Sequence, residues 1–532
     1  MLMMKLVTVA EMQAIEREAN ASGLSYAQMM ENAGVGLAEV VQDEFGYLAE
    51  EGVLGLVGSG NNGGDALVAL AHLAQNGWRT AAYLLRDRQP DDPLLGRFSD
   101  TGGKLWVLAE DENFSSLDQL LAEHAVLLDG VLGTGASLPL KPPLANTLDH
   151  IRQYRQEHDL PQVVVAVDCP SGVDCDSGEA APQTLPADLT VTMAAVKAGL
   201  MSFPAHELAG EIRLVGIGLT DDQPAWKTVQ CTLAEADAIR ELLPERPSSA
   251  HKGTFGTVIV LAGSASYTGA ALLAGKAAYR VGAGLVTLAV PSLLHTALAG
   301  HFPEATWILL PEEAGCIAAP AVDVLAGQLE RATALLIGPG FGLQPTTRDF
   351  LAGLLGSGVD QDESDKQAKV RLPRLVIDAD GLKLLSQLPD WPDLLPEPAI
   401  LTPHPGEMAA LTGLDTAAIQ RDRLRIAGRY AHKWQQIVVL KGANTIISAP
   451  DGRTIMIPVA TAALARAGSG DVLAGAITGL LAQGLEPFAA AAAGTWLHAQ
   501  AGVIAGDRLG NSASVLAGDL LDGLIEAIND LA

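Results

Sequence analysis

The stretch LGLVGSGNNGGDALVALAHLAQNG at residues 54–77 decides the fold of the first half of the chain. It starts with apolar residues typical of a strand, passes through a glycine-rich turn and continues as a helix-like segment that ends at Gly77. Gly58, Gly60 and Gly63 match G-x-G-x-x-G, a pattern in which a helix N-terminus after a strand receives a phosphate. Alone the match is weak, since the same glycines also suit an ordinary tight turn.

Polar residues distinguish this turn from a conventional dinucleotide-binding turn, which is small and neutral. Asn61, Asn62 and Asp65 lie in it, and amide and carboxylate oxygens suit hard cations and hydroxyl groups. Other predicted strand ends carry similar groups, namely Asp129, Asp168 and Ser171. Because ligands of an open α/β sheet lie at the carboxyl ends of strands, we expect these side chains to meet there. A single such Asp would more simply be a turn residue or a helix cap.

Apolar runs alternate with amphipathic runs along the chain, which predicts parallel, doubly wound sheets. The strand-like runs are GVLGLVGSG, RTAAYLL, AVLLDGVLG, QVVVAVDCPSG, ADLTVTMAA and EIRLVGIG, followed by GTVIVLAGS, GLVTLAVP, ALLIGPGFG, RLVIDADGL, PAILTPHPGE and QIVVLKGANTIIS. Residues 1–46 are predicted helical, with Thr8 and Glu11 as a capping box, and 356–374 as a polar surface loop. The pattern lapses at 221–250, so we predict an α/β fold of two domains, 1–225 and 235–532, the first a Rossmann-like three-layer α/β/α domain.

Composition limits the kinds of function. Of 532 residues, 48% are hydrophobic but only 4% aromatic, as in α/β enzymes whose helices pack closely on a sheet. A net charge of −28 argues against a nucleic-acid partner. The four cysteines lack Cys-x-x-Cys spacing and are expected to be free thiols. Without a long apolar run or a signal-like start, we expect no membrane span and a cytoplasmic protein.

A second glycine-rich segment, AGSGDVLAGAITGLLAQG at 467–484, suggests the chemistry of the second half. Gly468, Ser469 and Gly470 are expected to free successive backbone N–H groups before a helix that begins near Asp471, which makes an anion hole. A carboxylate repels phosphate, so Asp471 is expected to do more than bind, for example to deprotonate an attacking hydroxyl. The alternative is an ordinary first-turn acid that the helix dipole favours.

Three further motifs follow predicted strands of the second half. Lys441 precedes a turn at 442–445, and the lack of G-x-x-x-x-G-K-[ST] excludes a P-loop enzyme. The glycines of IGPGFG at 337–342 allow the backbone to approach a ligand. His404 lies between two prolines in LTPHPGE at 401–407, where a structural and a functional role are equally compatible with the sequence.

The motifs GNNGGD, DGVLGTG and VDCPSGVD, over residues 5–220, resemble the YjeF N-terminal family, the NAD(P)H-hydrate epimerases. The resemblance implies that Asp168 is catalytic and binds the substrate near its reacting carbon. It also implies that Asn62, Asp129 and Ser171 hold K⁺. The residues implied to line the hydrated nucleotide are Asn61, Asn62, Gly63, Gly64, Asp65, Gly133, Thr134, Gly135, Ala136, Ser137, Leu138, Pro139 and Asp168.

The motifs HKGTFG, GPGFG, TPHPGE, LKGANT and GSGDVLAG, over about 235–530, are similar to the NAD(P)H-hydrate dehydratases of the ribokinase-like superfamily. The resemblance implies that ADP, with Mg²⁺, phosphorylates the carbon 6 hydroxyl of the hydrate, after which phosphate leaves and the ring double bond returns. Asp471 would be the base. The residues implied to contact the hydrate are Ala270, Gly340, His404 and Asp471, and those implied to hold the nucleotide are Lys441, Gly442, Ala443, Asn444, Thr445 and Gly470.

The two resemblances together imply one repair task for hydrated NADH and NADPH. The epimerase interconverts the R and S hydrates, the dehydratase returns the S form to NAD(P)H with release of AMP and phosphate, and a homo-oligomer is expected. One alternative is a ribokinase-like small-molecule kinase, which would leave a phosphorylated product and release no phosphate. The other is a first half that only senses nucleotides.

Overall fold

The computed structural model describes residues 4–89, 91–356, 371–396 and 398–532. Within them the chain forms two compact units, Met4–Gln230 and Cys231–Ala532. Both units contain largely parallel sheets with helices between the strands, which confirms the predicted α/β class. Most of the predicted polar loop at 356–374 lies outside the described residues.

The first unit has nine strands and eight α-helices among its described residues. The strands are β1 (Leu6–Val7), β2 (Val53–Val57), β3 (Thr80–Leu84), β4 (Lys104–Val107), β5 (Val126–Gly130), β6 (Val163–Val167), β7 (Leu189–Met193), β8 (Val196–Lys197) and β9 (Glu211–Val215). The helices are α1 (Val9–Ala21), α2 (Tyr26–Phe45), α3 (Asn61–Gln75), α4 (Pro93–Asp100), α5 (Ser115–Glu123), α6 (Leu144–Glu157), α7 (Ala205–Leu208) and α8 (Pro224–Thr228).

Seven of these strands form a parallel sheet in the order β4-β3-β2-β5-β6-β7-β9, and β1 pairs with β8. Side chains of β2 alternate between the two faces of the sheet. Val53 and Val57 join a core with α1 to α3, whereas Leu54 and Leu56 join a core with α5 and α6. The unit therefore has three layers. Its strand order reverses between β2 and β5, the place where open α/β sheets bind ligands.

The start of α3 differs from the prediction. The polar residues Asn61–Asp65 occupy the first turns of the helix, not the loop before it. A Cβ built at Gly63 would lie 2.1 Å from the carbonyl oxygen of Gly58, so a glycine is needed for the helix to start this close to the strand. The predicted capping box does form, with Thr8 N–H 2.7 Å from Glu11 Oε2 and Glu11 N–H 3.2 Å from Thr8 Oγ1.

The second unit has twelve strands and twelve α-helices among its described residues. The strands are β10 (Cys231–Leu233), β11 (Thr257–Leu261), β12 (Leu285–Pro291), β13 (Thr306–Leu310), β14 (Glu312–Glu313), β15 (Cys316–Ile317), β16 (Ala334–Ile337), β17 (Arg374–Ile377), β18 (Ile400–Leu401), β19 (Ile437–Leu440), β20 (Ile446–Ser448) and β21 (Thr454–Met456). The helices are α9 (Ala236–Leu242), α10 (Ala270–Arg280), α11 (His295–Leu298), α12 (Ala321–Leu329), α13 (Pro345–Leu355), α14 (Asp380–Leu385), α15 (Pro405–Thr412), α16 (Thr416–Arg421), α17 (Arg423–Trp434), α18 (Ser469–Ala482), α19 (Pro487–Leu509) and α20 (Asp519–Asn529).

Ten strands of this unit form one sheet in the order β10-β21-β20-β19-β18-β17-β16-β11-β12-β13, and β14 pairs with β15. In the large sheet, β20 is antiparallel to both of its neighbours and the other pairs are parallel. The strand order reverses between β11 and β16, and the loops after β11, β16, β17, β18 and β19 lie at one edge. Helix α18 packs on α10 so closely that a Cβ at Gly475 would lie 2.1 Å from the carbonyl oxygen of Ala274.

Candidate active sites

A cavity of about 890 Å³ opens at the point of strand reversal in the first unit. It is lined by α1, α2 and α3 and by the loops after β5 and β6. The predicted site residues that line it are Asn61, Asn62, Asp65, Gly133, Thr134, Gly135 and Asp168. Those that lie outside its lining are Gly63, Gly64, Ala136, Ser137, Leu138 and Pro139. Gly64 packs instead against α2, since a Cβ there would lie 2.7 Å from Met30 Sδ.

Asp168 follows β6 and is held by one oxygen. Its Oδ1 accepts hydrogen bonds from Thr192 Oγ1 at 3.1 Å, from Met193 N at 3.0 Å and from the ammonium of Lys197. Lys197 is fully buried, and its ammonium also donates to Thr192 Oγ1 at 3.2 Å and to Met193 O at 3.0 Å. The buried carboxylate thus has a buried partner of opposite charge, which its desolvation requires.

Four more carboxyl groups line the same cavity, and two of them, Glu16 on α1 and Asp65 on α3, have raised pKa values. Burial raises the pKa of Asp65 well above its ordinary value, and the charges of Asp168 and Glu16 raise it further. Burial also raises the pKa of Glu16. Burial in this cavity therefore shifts Glu16 and Asp65 toward their protonated forms relative to exposed carboxyl groups.

The predicted K⁺ ligands lie close together: Asn62 lines the cavity, whereas Asp129 and Ser171 are fully buried. The carboxylate of Asp129 accepts hydrogen bonds from Ser171 Oγ at 2.5 Å and Ser171 N at 2.8 Å. Asn62 Nδ2 donates to the carbonyl oxygens of Leu132 at 3.0 Å and Val167 at 2.7 Å. These carbonyls, a carboxylate and a hydroxyl give an all-oxygen donor set, which fits a hard cation. For Asn62 to act as a ligand, its amide must turn to present Oδ1.

In the second unit the N-terminus of α18 forms the expected anion hole, with one difference. Ser469 N–H donates to Arg466 O at 3.3 Å, so Ser469 does not contribute a free group. Among the described residues, the N–H groups of Gly468, Gly470 and Asp471 have no acceptor. Gly468 has φ +91°, a left-handed conformation that glycine adopts without strain. The hole therefore offers amides that point outward along the helix axis.

Asp471 lies at the mouth of this hole. Its Oδ2 is 3.9 Å from the position of a Cβ built on Gly468, so the carboxyl group faces the glycine loop. Burial, followed by the charge of Asp378, raises the pKa of Asp471 to about 7, although Lys441 opposes the shift. A carboxyl group with this pKa is a suitable general base near neutral pH.

The side chain of Lys441 lies next to the anion hole. Its Nζ donates to Asp378 Oδ1 at 2.6 Å, lies 3.6 Å from Glu407 Oε2, and is 3.5 Å from a Cβ built on Gly470. Although burial alone would lower the pKa of Lys441, Asp378 and Glu407 raise it, which keeps the ammonium charged. The structure therefore brings Lys441 and Gly470 together.

His404 is the N-cap of α15, so it has a structural role. Its Nδ1 accepts hydrogen bonds from Gly406 N at 2.9 Å and Glu407 N at 3.3 Å, and its Nε2 is 3.2 Å from Glu407 Oε1. Burial tends to raise the pKa of Glu407, but the bonds to His404 and the charge of Lys441 lower it to about 2. Half of the His404 ring remains exposed, so a contact with substrate also remains open to it.

Ala270 and Gly340 lie next to each other. Ala270 is the first residue of α10, and a Cβ built on Gly340 would lie 2.9 Å from the Cβ of Ala270 and 2.8 Å from that of Tyr267. The glycine loop is also tied to the loop after β17, because Gly342 N donates to Asp380 Oδ2 at 3.0 Å. These contacts place both predicted substrate residues at the edge that holds Asp378.

The turn at 442–445 is fixed by a half-buried guanidinium. Arg423 donates to the carbonyl oxygens of Ala443 and Leu440, the latter at 3.1 Å. Asn444 has φ +53° and is buried, and Thr445 Oγ1 donates to Gly442 O at 2.8 Å. The predicted nucleotide turn therefore has a defined shape within the protein itself.

Asp378 offers a position for a divalent cation. Its Oδ1 accepts from Lys441 and from Thr402 Oγ1 at 2.7 Å, whereas its buried Oδ2 has no hydrogen-bond partner among the described residues. Mg²⁺ is usually held by one or two carboxylates together with phosphate oxygens, so this oxygen fits it. No group of three or more His, Cys, Asp or Glu residues suited to a metal occurs in the described part of the chain.

Sequence reasoning missed Lys197, Asp378, Glu407 and Arg423. Asp378 was detectable, since it directly follows the strand-like run RLVI, as Asp168 follows VVVAV. Lys197 and Arg423 carry no such signal, because the sequence alone does not show which partners the fold brings to them. In a separate finding, none of the described helices is both long and apolar enough to cross a membrane.

Comparisons with known proteins give consistent matches over both units. A family model described as NAD(P)H-hydrate dehydratase matches residues 258–526, and one described as YjeF-related protein N-terminus matches residues 26–199. A protein of Moorella thermoacetica named bifunctional NAD(P)H-hydrate repair enzyme is 38% identical over 513 residues, which cover 94% of this chain and 92% of that protein. The protein of the same name from Escherichia coli K12 is 32% identical, with 93% and 88% covered.

Solved structures also resemble the chain. An ADP/ATP-dependent NAD(P)H-hydrate dehydratase from Bacillus subtilis, co-crystallised with ATP and Mg²⁺, is 30% identical. The alignment covers 56% of this chain and 98% of that one, with a TM-score of 0.47.

Proposed function

The chain belongs to the family of bifunctional NAD(P)H-hydrate repair enzymes, and from that premise we propose that each of its two units carries one of the two activities. The first unit, with the cavity around Asp168, interconverts the R and S hydrates of NADH and NADPH. The second unit, with the anion hole at α18, uses a nucleotide to return the S hydrate to NAD(P)H. The division follows the two family models, which match separate ranges of the chain.

In the second unit Asp471 starts the reaction. Its carboxylate takes the proton of the carbon 6 hydroxyl, and the resulting oxygen attacks the terminal phosphorus of ADP, whose bond to the bridging oxygen breaks so that AMP leaves. The free amides of Gly468 and Gly470 and the ammonium of Lys441 receive the negative charge of the transferred group. Phosphate is a better leaving group than hydroxide, so the bond between carbon 6 and oxygen then breaks, carbon 5 loses a proton to the departing phosphate, and the ring double bond forms.

The nucleotide is ADP, held by the fixed turn at 442–445 and by the N-terminus of α18. Mg²⁺ would bind to Asp378 Oδ2 and to phosphate oxygens, where it would offset the phosphate charge. The hydrate would contact Ala270, Gly340 and His404. In the first unit K⁺ would be held by Asp129, Ser171 and the turned amide of Asn62, and would fix the loops that line the cavity. A cytoplasmic location and a homo-oligomeric state stay predictions.

One observation carries the proposal for the second unit: Asp471, with a pKa of about 7, faces a set of free amides at a helix N-terminus. The deciding experiment incubates the full chain with purified R hydrate or S hydrate, with and without ADP, and follows the absorbance of the reduced ring. We expect ADP-dependent recovery of both forms and one phosphate released for each ring restored. A phosphorylated product without phosphate release would instead indicate a small-molecule kinase.

The same assay tests the first unit. Replacing Asp168 by Ala should leave repair of the S hydrate unchanged, because that reaction takes place in the other unit. Repair of the R hydrate should fall to the rate set by spontaneous epimerisation. If this variant repairs both forms at the parent rate, the first unit is not the epimerase and the nucleotide-sensing alternative is favoured.

A further inference from the structure

The cavity of the first unit holds two aspartates in contrasting ways. Asp168 is anchored through Oδ1 by three donors, and no described residue donates to its Oδ2. Asp65 is only 8% exposed, yet its carboxyl group accepts no hydrogen bond from the described residues. Both residues line the cavity. Asp168 is a carboxylate that its contacts hold in one orientation, whereas Asp65 is a carboxyl group that no described side chain holds in place.

We propose that Asp65 and Asp168 are the proton donor and the proton acceptor of the epimerisation, and that Lys197 is the positioning residue that holds Asp168. This inference rests on the epimerase activity proposed for the first unit. It assigns roles to Asp65 and Lys197 that the family resemblance does not, since there Asp65 only lines the substrate site.

The reaction that these two groups would serve is the opening and closing of a hemiaminal. Carbon 6 of the hydrate bears the hydroxyl group and is bonded to ring nitrogen 1. Asp168 takes the hydroxyl proton, the bond between carbon 6 and nitrogen 1 breaks, and its electron pair passes to nitrogen 1. That nitrogen takes the proton of Asp65, which leaves an aldehyde at carbon 6.

Closure on the opposite face completes the exchange. After rotation about the bond between carbons 5 and 6, nitrogen 1 attacks the aldehyde carbon. The nitrogen returns its proton to Asp65, and Asp168 returns the other proton to the oxygen. Both residues regain their starting states, and no other reactant is consumed.

The surroundings of Asp65 favour this division of roles. Burial and the charges of Asp168 and Glu16 keep its pKa well above the ordinary value, and Lys197 only partly offsets them. A pair of carboxyl groups in contrasting environments is a recurring sign of an acid and a base. The other charged or titratable residues that line the cavity are Tyr26, Glu31, Arg86 and Asp92.

Lys197 itself has no hydrogen to offer a substrate. An ammonium has three N–H donors, and the acceptors around it are Asp168 Oδ1, Thr192 Oγ1 and Met193 O. All three donors are therefore used inside the protein. Lys197 is among the residues that line the cavity, but it is only 1% exposed, so it would influence the rate through the position and charge of Asp168.

The first test is D65N in the full chain, with R hydrate and ADP. The amide is nearly isosteric but cannot donate an acidic proton. We expect the enzyme-catalysed repair of R hydrate to fall by about 10²-fold or more, with repair of S hydrate unchanged. The parent should lose R-hydrate activity as the pH rises through the pKa of Asp65, and any residual activity of D65N should lack this loss.

The matched control is D111N, which removes a buried carboxylate of the same unit outside the cavity. Asp111 accepts from Leu117 N at 2.9 Å and Ser116 N at 3.2 Å at the start of α5, so D111N should lower stability and leave R-hydrate turnover unchanged. Repair of R hydrate by D65N within threefold of the parent would overturn the role of Asp65. If D168A is also fully active on R hydrate, the epimerase assignment fails instead.

The role of Lys197 is tested by K197R and, should that variant not fold, by T192V, which removes another donor to Asp168 Oδ1. We expect K197R to lower kcat for R hydrate about tenfold and T192V about threefold, with KM within twofold, because neither residue contacts the hydrate. A raised KM with unchanged kcat in the variant that folds would show a substrate-binding role and overturn the positioning role.

Discussion

In the first unit the ion pair Lys197–Asp168 lies in the cavity that the first turns of α3 line, and in the second unit the pair Lys441–Asp378 lies beside the first turn of α18. In both places the glycine-rich helix start also carries an aspartate whose pKa is raised by burial. The two sites, for which different chemistry is proposed, thus share one arrangement of charges: a lysine paired with a buried carboxylate, and a second carboxyl group nearby.

The two sites differ in how many N–H groups of the lysine form hydrogen bonds within the protein. Lys197 has three acceptors within the protein, whereas Lys441 donates to Asp378 and its distance of 3.6 Å to Glu407 is too long for a hydrogen bond. Lys441 therefore retains N–H groups for a phosphate, beside amides that are also free. On the functions proposed above, similar charges would serve proton transfer in one unit, and unused donors would allow phosphoryl transfer in the other.

The largest expected effect separates the proposed catalytic base, Asp471, from ordinary acids in the first turn of a helix. D471N should lower ADP-dependent repair of S hydrate by about 10²- to 10⁴-fold, because an amide cannot act as a base. Interconversion of R and S hydrates, followed by chromatography, should not change. The control is D519N, since Asp519 is an exposed acid in the first turn of α20. Equal activity of both variants would show that Asp471 is merely a first-turn acid.

Replacing each lysine should distinguish a lysine that only holds a carboxylate in place from one that also binds a phosphate. K197M leaves Asp168 buried without its cation, so we expect the free energy of unfolding of the first unit to fall by about 3–5 kcal/mol. K441M should destabilise less, because Lys441 is 17% exposed against 1% for Lys197, but should raise the KM for ADP. Chemical denaturation measures the change in the free energy of unfolding, and steady-state kinetics measures the KM for ADP. A higher KM for ADP in K197M would contradict the contrast between the two lysines.

A smaller effect should distinguish substrate contact from backbone strain. G340A places a methyl group 2.9 Å from Ala270 Cβ and 2.8 Å from Tyr267 Cβ, so the KM for S hydrate should rise about tenfold. Its control is G342A, because Gly342 has a similar φ of +75° but its nearest neighbour is 3.4 Å away. Equal KM changes in both variants would mean that strain, not the crowded contact, is responsible.

The smallest effect concerns pH. Asp471 must be ionised to act as a base, and its pKa is about 7. The rate of S-hydrate repair should therefore fall about fivefold from pH 7 to pH 6 and reach a plateau above pH 8. The rate of S-hydrate turnover at saturating ADP, measured from pH 6 to pH 8, tests this pH dependence. A rate that is constant between pH 6 and 8 would contradict the assignment.

The sequence was informative where a residue able to carry out chemistry directly follows a recognisable local pattern. Asp168 and Asp471 each follow a strand-like run or a glycine loop, so their positions could be predicted from adjacent residues alone. The capping box at Thr8 is local in the same sense, and it forms as predicted. Local patterns did not reveal the edge strand β4, whose half-exposed residues lack a clear apolar run.

What could not be predicted depends on contacts between distant parts of the chain. Lys197 reaches Asp168 because β6 and β7 are neighbours in the sheet, and the sequence does not state the strand order. Lys441 and Asp378 are 63 residues apart and meet only at the edge of the second sheet. The start of α3 at Asn61 depends on the close approach of Gly63 to Gly58, which a motif cannot express.

The guanidinium of Arg423 has one more consequence. Because it donates to the carbonyl oxygens of both Leu440 and Ala443, the proposed nucleotide turn at 442–445 is braced by the protein's own hydrogen bonds. A preorganised loop loses little conformational entropy on association, so most of the interaction energy remains available for affinity. Nucleotide capture by this unit should therefore follow lock-and-key behaviour, with little loop rearrangement between the free and the bound protein.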